Sequence, residues 1–118
     1  MTMPPPPYAV VLDTVPLEAV ALDPAQVVSG APEVRELELW RARDGAVATG
    51  VWEITPGVVT DVEADEVFVV LDGRATVEID SGATLELSPG VAGAFRAGSR
   101  TTWHVHETLR KLYTVQLG

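Results

Sequence analysis

Residues 34–40 read Val-Arg-Glu-Leu-Glu-Leu-Trp, with Leu37 and Leu39 on one side of an extended chain and Glu36 and Glu38 on the other. A two-residue alternation of this kind is the signature of a half-buried β-strand, because successive side chains of a strand point to opposite faces. Similar short runs follow at 46–54 (AVATGVWEI), 66–72 (EVFVVLD), 74–80 (RATVEID), 83–88 (ATLELS) and 91–95 (VAGAF). Between them stand Asp44-Gly45, Pro56-Gly57, Asp72-Gly73, Ser81-Gly82 and Pro89-Gly90, turn dipeptides in which glycine accepts a positive φ. In the last stretch, 101–117, Trp103, Val105, Tyr113, Val115 and Leu117 all fall at odd positions, which predicts two strands bent around Glu107–Arg110.

Upstream of these runs the pattern differs. Pro16–Asp23 (PLEAVALD) predicts a turn or two of helix, closed by Pro24 and too short to organise a fold. Four consecutive prolines, Pro4–Pro7, make Met1–Val15 a stiff, partly extended leader with neither a basic start nor an apolar core of the kind secretory signals carry. Many short strands with tight turns and no long helix indicate an all-β domain, a sandwich or jelly-roll barrel that leaves few open sheet edges. At 118 residues there is room for one such core and not for two.

Composition narrows the function classes. No apolar run approaches the roughly 20 residues of a membrane span. With 17 acidic against 8 basic side chains, the net charge of -9 repels a phosphate backbone, so neither nucleic acid nor an anionic membrane is expected as a partner. The absence of cysteine excludes disulfides, thiolate metal sites and cysteine nucleophiles, and with the leader it points to a cytoplasmic location.

Two segments resemble the motifs of the cupins. Pro56-Gly57, Glu66 and Gly73 match a first motif in which a glycine turn leads to a strand ending in Glu-x6-Gly. Pro89-Gly90, Gly98 and the run TTWHVHETLRKLY (101–113) resemble the second motif as it stands in small single-domain cupins of the (S)-ureidoglycine aminohydrolase cupin-domain group. The matching positions are Trp103, Val105, Glu107, Thr108, Arg110, Lys111 and Tyr113, and Gly50-Val51-Trp52-Glu53 resembles the strand before that group's Pro-Gly turn. The resemblance implies an RmlC-like jelly-roll barrel over residues 30–118, preceded by residues 1–29 as leader and first strand, and pairing as a homodimer.

A metal-binding cupin uses a His-x-His pair, a glutamate and a later histidine, donors that suit first-row metals. Here the corresponding positions are Thr60, Val62, Glu66 and Thr101, so only the glutamate remains. His104 and His106 share a face opposite Trp103 and Val105; if Trp103 points inward, both histidines point outward. No metal or other cofactor is expected. Glu63 and Asp65 beside Glu66 read as a solvated acidic loop, with a hard-cation site as the alternative.

Glu66 alternates with Phe68 and Val70, so its carboxylate falls on the interior face and needs a partner to offset desolvation. Lys111, in register with Tyr113, Val115 and Leu117, is the candidate; the alternative is a rim lysine that extends its ammonium to water. Glu66 and Lys111 are thus the candidate catalytic groups, and Trp52, Phe68, Thr101, Trp103 and Tyr113 the candidate substrate-binding residues. They suit a small-molecule ligand, handled either by an enzyme that works without the usual histidine ligands or by a non-catalytic sensing module. A dimerising scaffold is the third reading.

Overall fold

A computed structural model describes residues 2–118; Met1, the first residue of the leader, lies outside the described residues. The strands are β1 (Glu18–Val20), β2 (Val27–Gly30), β3 (Val34–Arg41), β4 (Val47–Ile54), β5 (Gly57–Val62), β6 (Glu66–Ile79), β7 (Thr84–Leu87), β8 (Ala92–Phe95) and β9 (Arg100–Gln116). One short 3-10 turn, Pro24–Gln26, is capped by the Asp23 carboxylate, which accepts from the Ala25 amide. No helix among the described residues is long and apolar enough to cross a membrane.

Every pairing is antiparallel and the strands form one curled sheet, an all-β barrel of the kind the resemblance implies. Two long strands carry it. Along one edge β9 pairs with β5 over its first half and with β4 over its second, while β6 runs along its other edge. The free edge of β6 is in turn shared by β8 and β7. Each long strand therefore belongs to two half-sheets, and folding one half over the other creates the interior. Val59, Val77, Trp103 and Val105 of one half pack in the same buried cluster as Ile54, Phe68, Val70, Leu109 and Tyr113 of the other.

Three local expectations are corrected. The segment Glu66–Ile79 is one strand rather than two separated by a turn at Asp72-Gly73, and Arg100–Gln116 is likewise one strand rather than two bent around Glu107–Arg110. The bends are taken up by register shifts between Val70 and Ala75 of β6 while pairing to β9 resumes on either side. Gly73 makes the bulge possible: its φ is +85°, and a Cβ there would lie 2.0 Å from the Thr108 carbonyl oxygen. The expected helix within Pro16–Asp23 is instead β1, because Glu18–Val20 lies against β3 and pairs with Val34–Glu36.

The leader is tied to the outer face of β3 and β4. Leu37 and Val51 form a second buried cluster with Val15 and Leu17, against which Met3, Val10 and Leu12 pack. Arg110, itself 2.9 Å from Glu53, donates to the Leu12 and Val15 carbonyls. The Leu37 face of the decisive 34–40 strand is thus covered by the leader, which leaves the Glu36 face for the interior.

Candidate functional site

Cross-strand register assembles the site. Glu36 of β3 pairs with Trp52 of β4, Trp52 with Lys111 of β9, and Lys111 with Val70 of β6, so the four side chains share the interior face. The neighbouring row places Tyr113 opposite Gly50 and Phe68. In the other half-sheet Val59, Trp103 and Val77 form one row, and Asp61, Thr101 and Ile79 the next. Odd-numbered residues of β9 point inward on both sides of its bend, and this brings Thr101, Trp103, Lys111 and Tyr113 into one interior.

At its centre Lys111 Nζ lies 2.6 Å from Glu66 Oε2, with the two side chains only 6% and 10% exposed. The ammonium is also 4.7 Å from the ring centroid of Trp52, 4.6 Å from Phe68 and 5.1 Å from Trp103. Three ring faces and one carboxylate therefore surround a single cation, the arrangement by which aromatic quadrupoles hold ammonium groups. Trp52 and Trp103 meet edge to face at 5.6 Å.

Tyr113 donates its hydroxyl to Glu36 Oε1. Gly50 makes room for that contact, since a Cβ there would lie 2.6 Å from the Tyr113 hydroxyl. Burial first, and then the hydrogen bond and negative charge of Glu36, push the Tyr113 phenol well above its ordinary range, so it is a hydrogen-bond donor and not a source of phenolate.

The reading of Glu63 as part of a solvated acidic loop is corrected by the structure. Its side chain turns inward, the residue is 8% exposed, and Oε2 accepts from the Thr101 hydroxyl at 2.7 Å and from the Trp103 indole N–H at 3.1 Å. Glu63 was missed because the acidic run around it resembles a surface loop, whereas its donors lie 38 and 40 residues further on. The available signal was the inward Trp103 and Thr101, whose buried N–H and O–H require an acceptor. Asp61, two residues back on β5, is an exposed residue at the cavity edge; partial desolvation of its carboxyl, and then the charge of Glu63, raise its pKa above the usual value.

These groups border a cavity of about 1190 Å³. Trp52, Glu66, Trp103, Lys111 and Tyr113 line it, together with Glu36, Asp61 and Glu63; Thr2, Met3 and Pro4–Pro6 of the leader also border it. Phe68 and Thr101 do not border it. Phe68 stands behind the Lys111 ammonium, and Thr101 stands behind Glu63, lining a second cavity of about 670 Å³.

The residues at the cupin ligand positions do not suit a first-row metal. Thr60 Oγ1 is engaged with the Gln26 carbonyl at 3.4 Å, Thr101 with Glu63, and Val62, which has no donor atom, is 57% exposed. Outside the interior, His104 Nε2 lies 2.8 Å from Glu78, and His106 Nε2 lies 3.0 Å from the Thr76 hydroxyl. Among the described residues no three His, Cys, Asp or Glu side chains are grouped as metal ligands.

Residues 41–113, well over half of the chain, match the EutQ-like cupin domain family. The chain belongs to that family. Solved structures give this EutQ-like cupin its fold relatives. A protein of unknown function from Pseudomonas syringae pv. tomato superposes with a TM-score of 0.77 at 23% identity, covering 86% of this chain and 45% of its own. The EutQ protein of Clostridium difficile superposes at 0.64 and 20% identity, covering 82% and 80% of the two chains. Ectoine synthase from P. lautus superposes at 0.65 and 15% identity, covering 92% and 77%. The EutQ-like cupin thus spans less than half the length of the Pseudomonas protein. At these identities the likeness is one of fold. No curated protein matches the chain.

Proposed function

We propose that the barrel binds a small organic molecule and that Glu66 and Lys111 act on it by proton transfer. The observation that carries this reading is the carboxylate–ammonium pair 2.6 Å apart, nearly enclosed, on the wall of a cavity that also presents two tryptophans. Aromatic walls with convergent polar groups are features of small-molecule sites, and this cavity has both, with more charged groups than is usual. Enclosed acid–base groups are the ones whose proton affinity an environment can set for catalysis. The resemblance of Trp103–Tyr113 to the ureidoglycine aminohydrolase cupins belongs to this proposal only as a sequence likeness. That group's metal-dependent hydrolysis needs donors that Thr60, Val62 and Thr101 do not supply, so no step is routed through a metal.

One observation favours a second reading, a non-catalytic metabolite-binding module: Glu66 and Lys111 already satisfy each other, and three aromatic rings surround the Lys111 Nζ. A metabolite screen by thermal shift, followed by turnover assays on each hit, separates the two. A ligand at a hundred times its Kd stabilises by about 2.7 kcal/mol. For an enzyme, Glu66→Gln abolishes conversion of a hit that still binds; for a sensing module the hit returns unchanged from wild type and the substitution lowers affinity alone. Hits that bind with Trp52 and Trp103 unperturbed would overturn both readings.

A further inference from the structure

Glu63 is the interior group that the Glu66–Lys111 reading leaves unused. It is more than nine-tenths buried, it borders the cavity, and both of its side-chain hydrogen bonds arrive at Oε2. Its Oε1 accepts from no group among the described residues, and no described Lys, Arg or His forms an ion pair with it. Both donors that fix Oε2 are neutral, so the carboxylate is oriented without being neutralised. A buried carboxylate with one oxygen anchored and the other free is a preformed acceptor, and it gains most from a donor that carries positive charge.

The surrounding charge has the same sign. Glu18 aside, five carboxylates line the cavity (Glu36, Glu38, Asp61, Glu63, Glu66) against three cations (Arg41, Arg43, Lys111), a formal excess of two negative charges among these described residues. Of the cations, Lys111 is held by Glu66 and Arg41 by Glu38. Desolvation is the main cause of the raised Asp61 carboxyl pKa; the smaller share that comes from the charge of Glu63 is a repulsion that an added cation would relieve. Trp52 and Trp103 already turn their ring faces to one ammonium in this space, a wall suited to an organic cation. A bare divalent ion would need more oxygen ligands in one place than the described residues bring together.

We infer that the cavity selects an organic cation with N–H donors, a protonated amine or amidine, whose nitrogen donates to Glu63 Oε1. The inference rests on the small-molecule reading above and adds the ligand class to it. Lys111 is then the fixed counter-charge that keeps Glu66 from competing for the ligand's nitrogen, and Asp61 is a second acceptor on the same wall.

The test uses three probes of one shape: 3-phenylpropylamine, 3-phenylpropanol and 3-phenylpropanoate. Each is titrated into the full chain while the tryptophan indole N–H signals are followed by NMR; that of Trp103 reports directly on its hydrogen bond to Glu63. The amine is expected to shift the Trp103 indole signal and to bind about tenfold more tightly than the alcohol, with the carboxylate weaker still. Glu63→Gln retains an amide oxygen for Thr101 and Trp103 but presents NH2 in place of Oε1. It should lower amine affinity about tenfold and leave alcohol affinity unchanged. If that variant does not fold, the ranking of the three probes on the wild-type chain, with the Trp103 indole N–H as reporter on Glu63, decides the question.

Equal binding of all three probes, or preference for the carboxylate, overturns the cation inference and leaves the small-molecule reading standing. Displacement of the amine by Mg2+ or Zn2+ overturns it in favour of a metal. If none of the three moves any indole signal, the small-molecule reading falls with it.

Discussion

Lys111→Met tests whether the central ion pair is enclosed. Methionine approximates the length of the lysine stem and keeps its packing against Trp52, Phe68 and Trp103, so the main change is loss of the ammonium. Glu66, whose side chain is 10% exposed, is then left without its cation in an interior that also holds the buried Glu63. Removing one partner of a buried pair costs about 3–5 kcal/mol, because the remaining charge stays desolvated. At about 4 °C per kcal/mol for a domain of this size, the melting temperature should fall by ~12–20 °C. Glu66→Gln should be milder, since the amide oxygen still accepts from Lys111 and the three rings still face the ammonium. The double variant Lys111→Met/Glu66→Leu should recover most of the loss, as replacing a buried pair with apolar residues is often neutral or stabilising. Differential scanning calorimetry at neutral pH reads all three, avoiding the tryptophan signal that the substitutions themselves alter. A loss below about 1 kcal/mol for Lys111→Met, the range of exposed pairs, would refute the enclosed pair and with it the argument that the site is shielded from water.

Three further outcomes follow from the geometry. Asp61→Asn should raise stability at neutral pH, because a carboxyl whose folded pKa lies above its unfolded value destabilises the fold once ionised; the gain should vanish below the ordinary aspartate pKa of about 3.9, which urea titrations across pH would show. Gly73→Ala should prevent folding or cost well over about 2 kcal/mol, since strain at φ +85° adds to a backbone clash, whereas Gly45→Ala, at φ +77° with nothing within 4 Å, should cost about 1–2 kcal/mol by chemical denaturation. The Tyr113 phenol should stay protonated above the ordinary tyrosine pKa of about 10, as seen by NMR of the labelled ring, and Glu36→Gln should bring its titration down while costing about 1.5–3 kcal/mol of stability.

Much of the fold was legible because strand periodicity and turn chemistry are local. The alternation in 34–40, 66–72 and 101–105 identified faces, and the placement of His104 and His106 opposite Trp103 follows from alternation alone. The same locality misled at Asp72-Gly73 and at Glu107–Arg110. A glycine that permits a left-handed residue looks alike in a turn and in a bulge, and the choice here was made by the opposing strand, which continues its pairing on either side. The helix expected within Pro16–Asp23 failed for a related reason: the free edge of β3 offers Glu18–Val20 hydrogen bonds that an isolated turn cannot match.

For the site, the sequence by itself determined which residues alternate inward and that Glu66 would need a partner for its charge. Whether Lys111 is that partner or a solvated rim lysine depends on two strands 45 residues apart lying side by side, and only the tertiary structure decided it. Glu63 and the Glu36–Tyr113 contact were beyond reach for the same reason, with donors and acceptors up to 77 residues apart. Alternation is a property of one strand and is set by backbone geometry. The partner of a buried polar group is a property of the whole sheet, set by register across strands that the chain brings together only on folding.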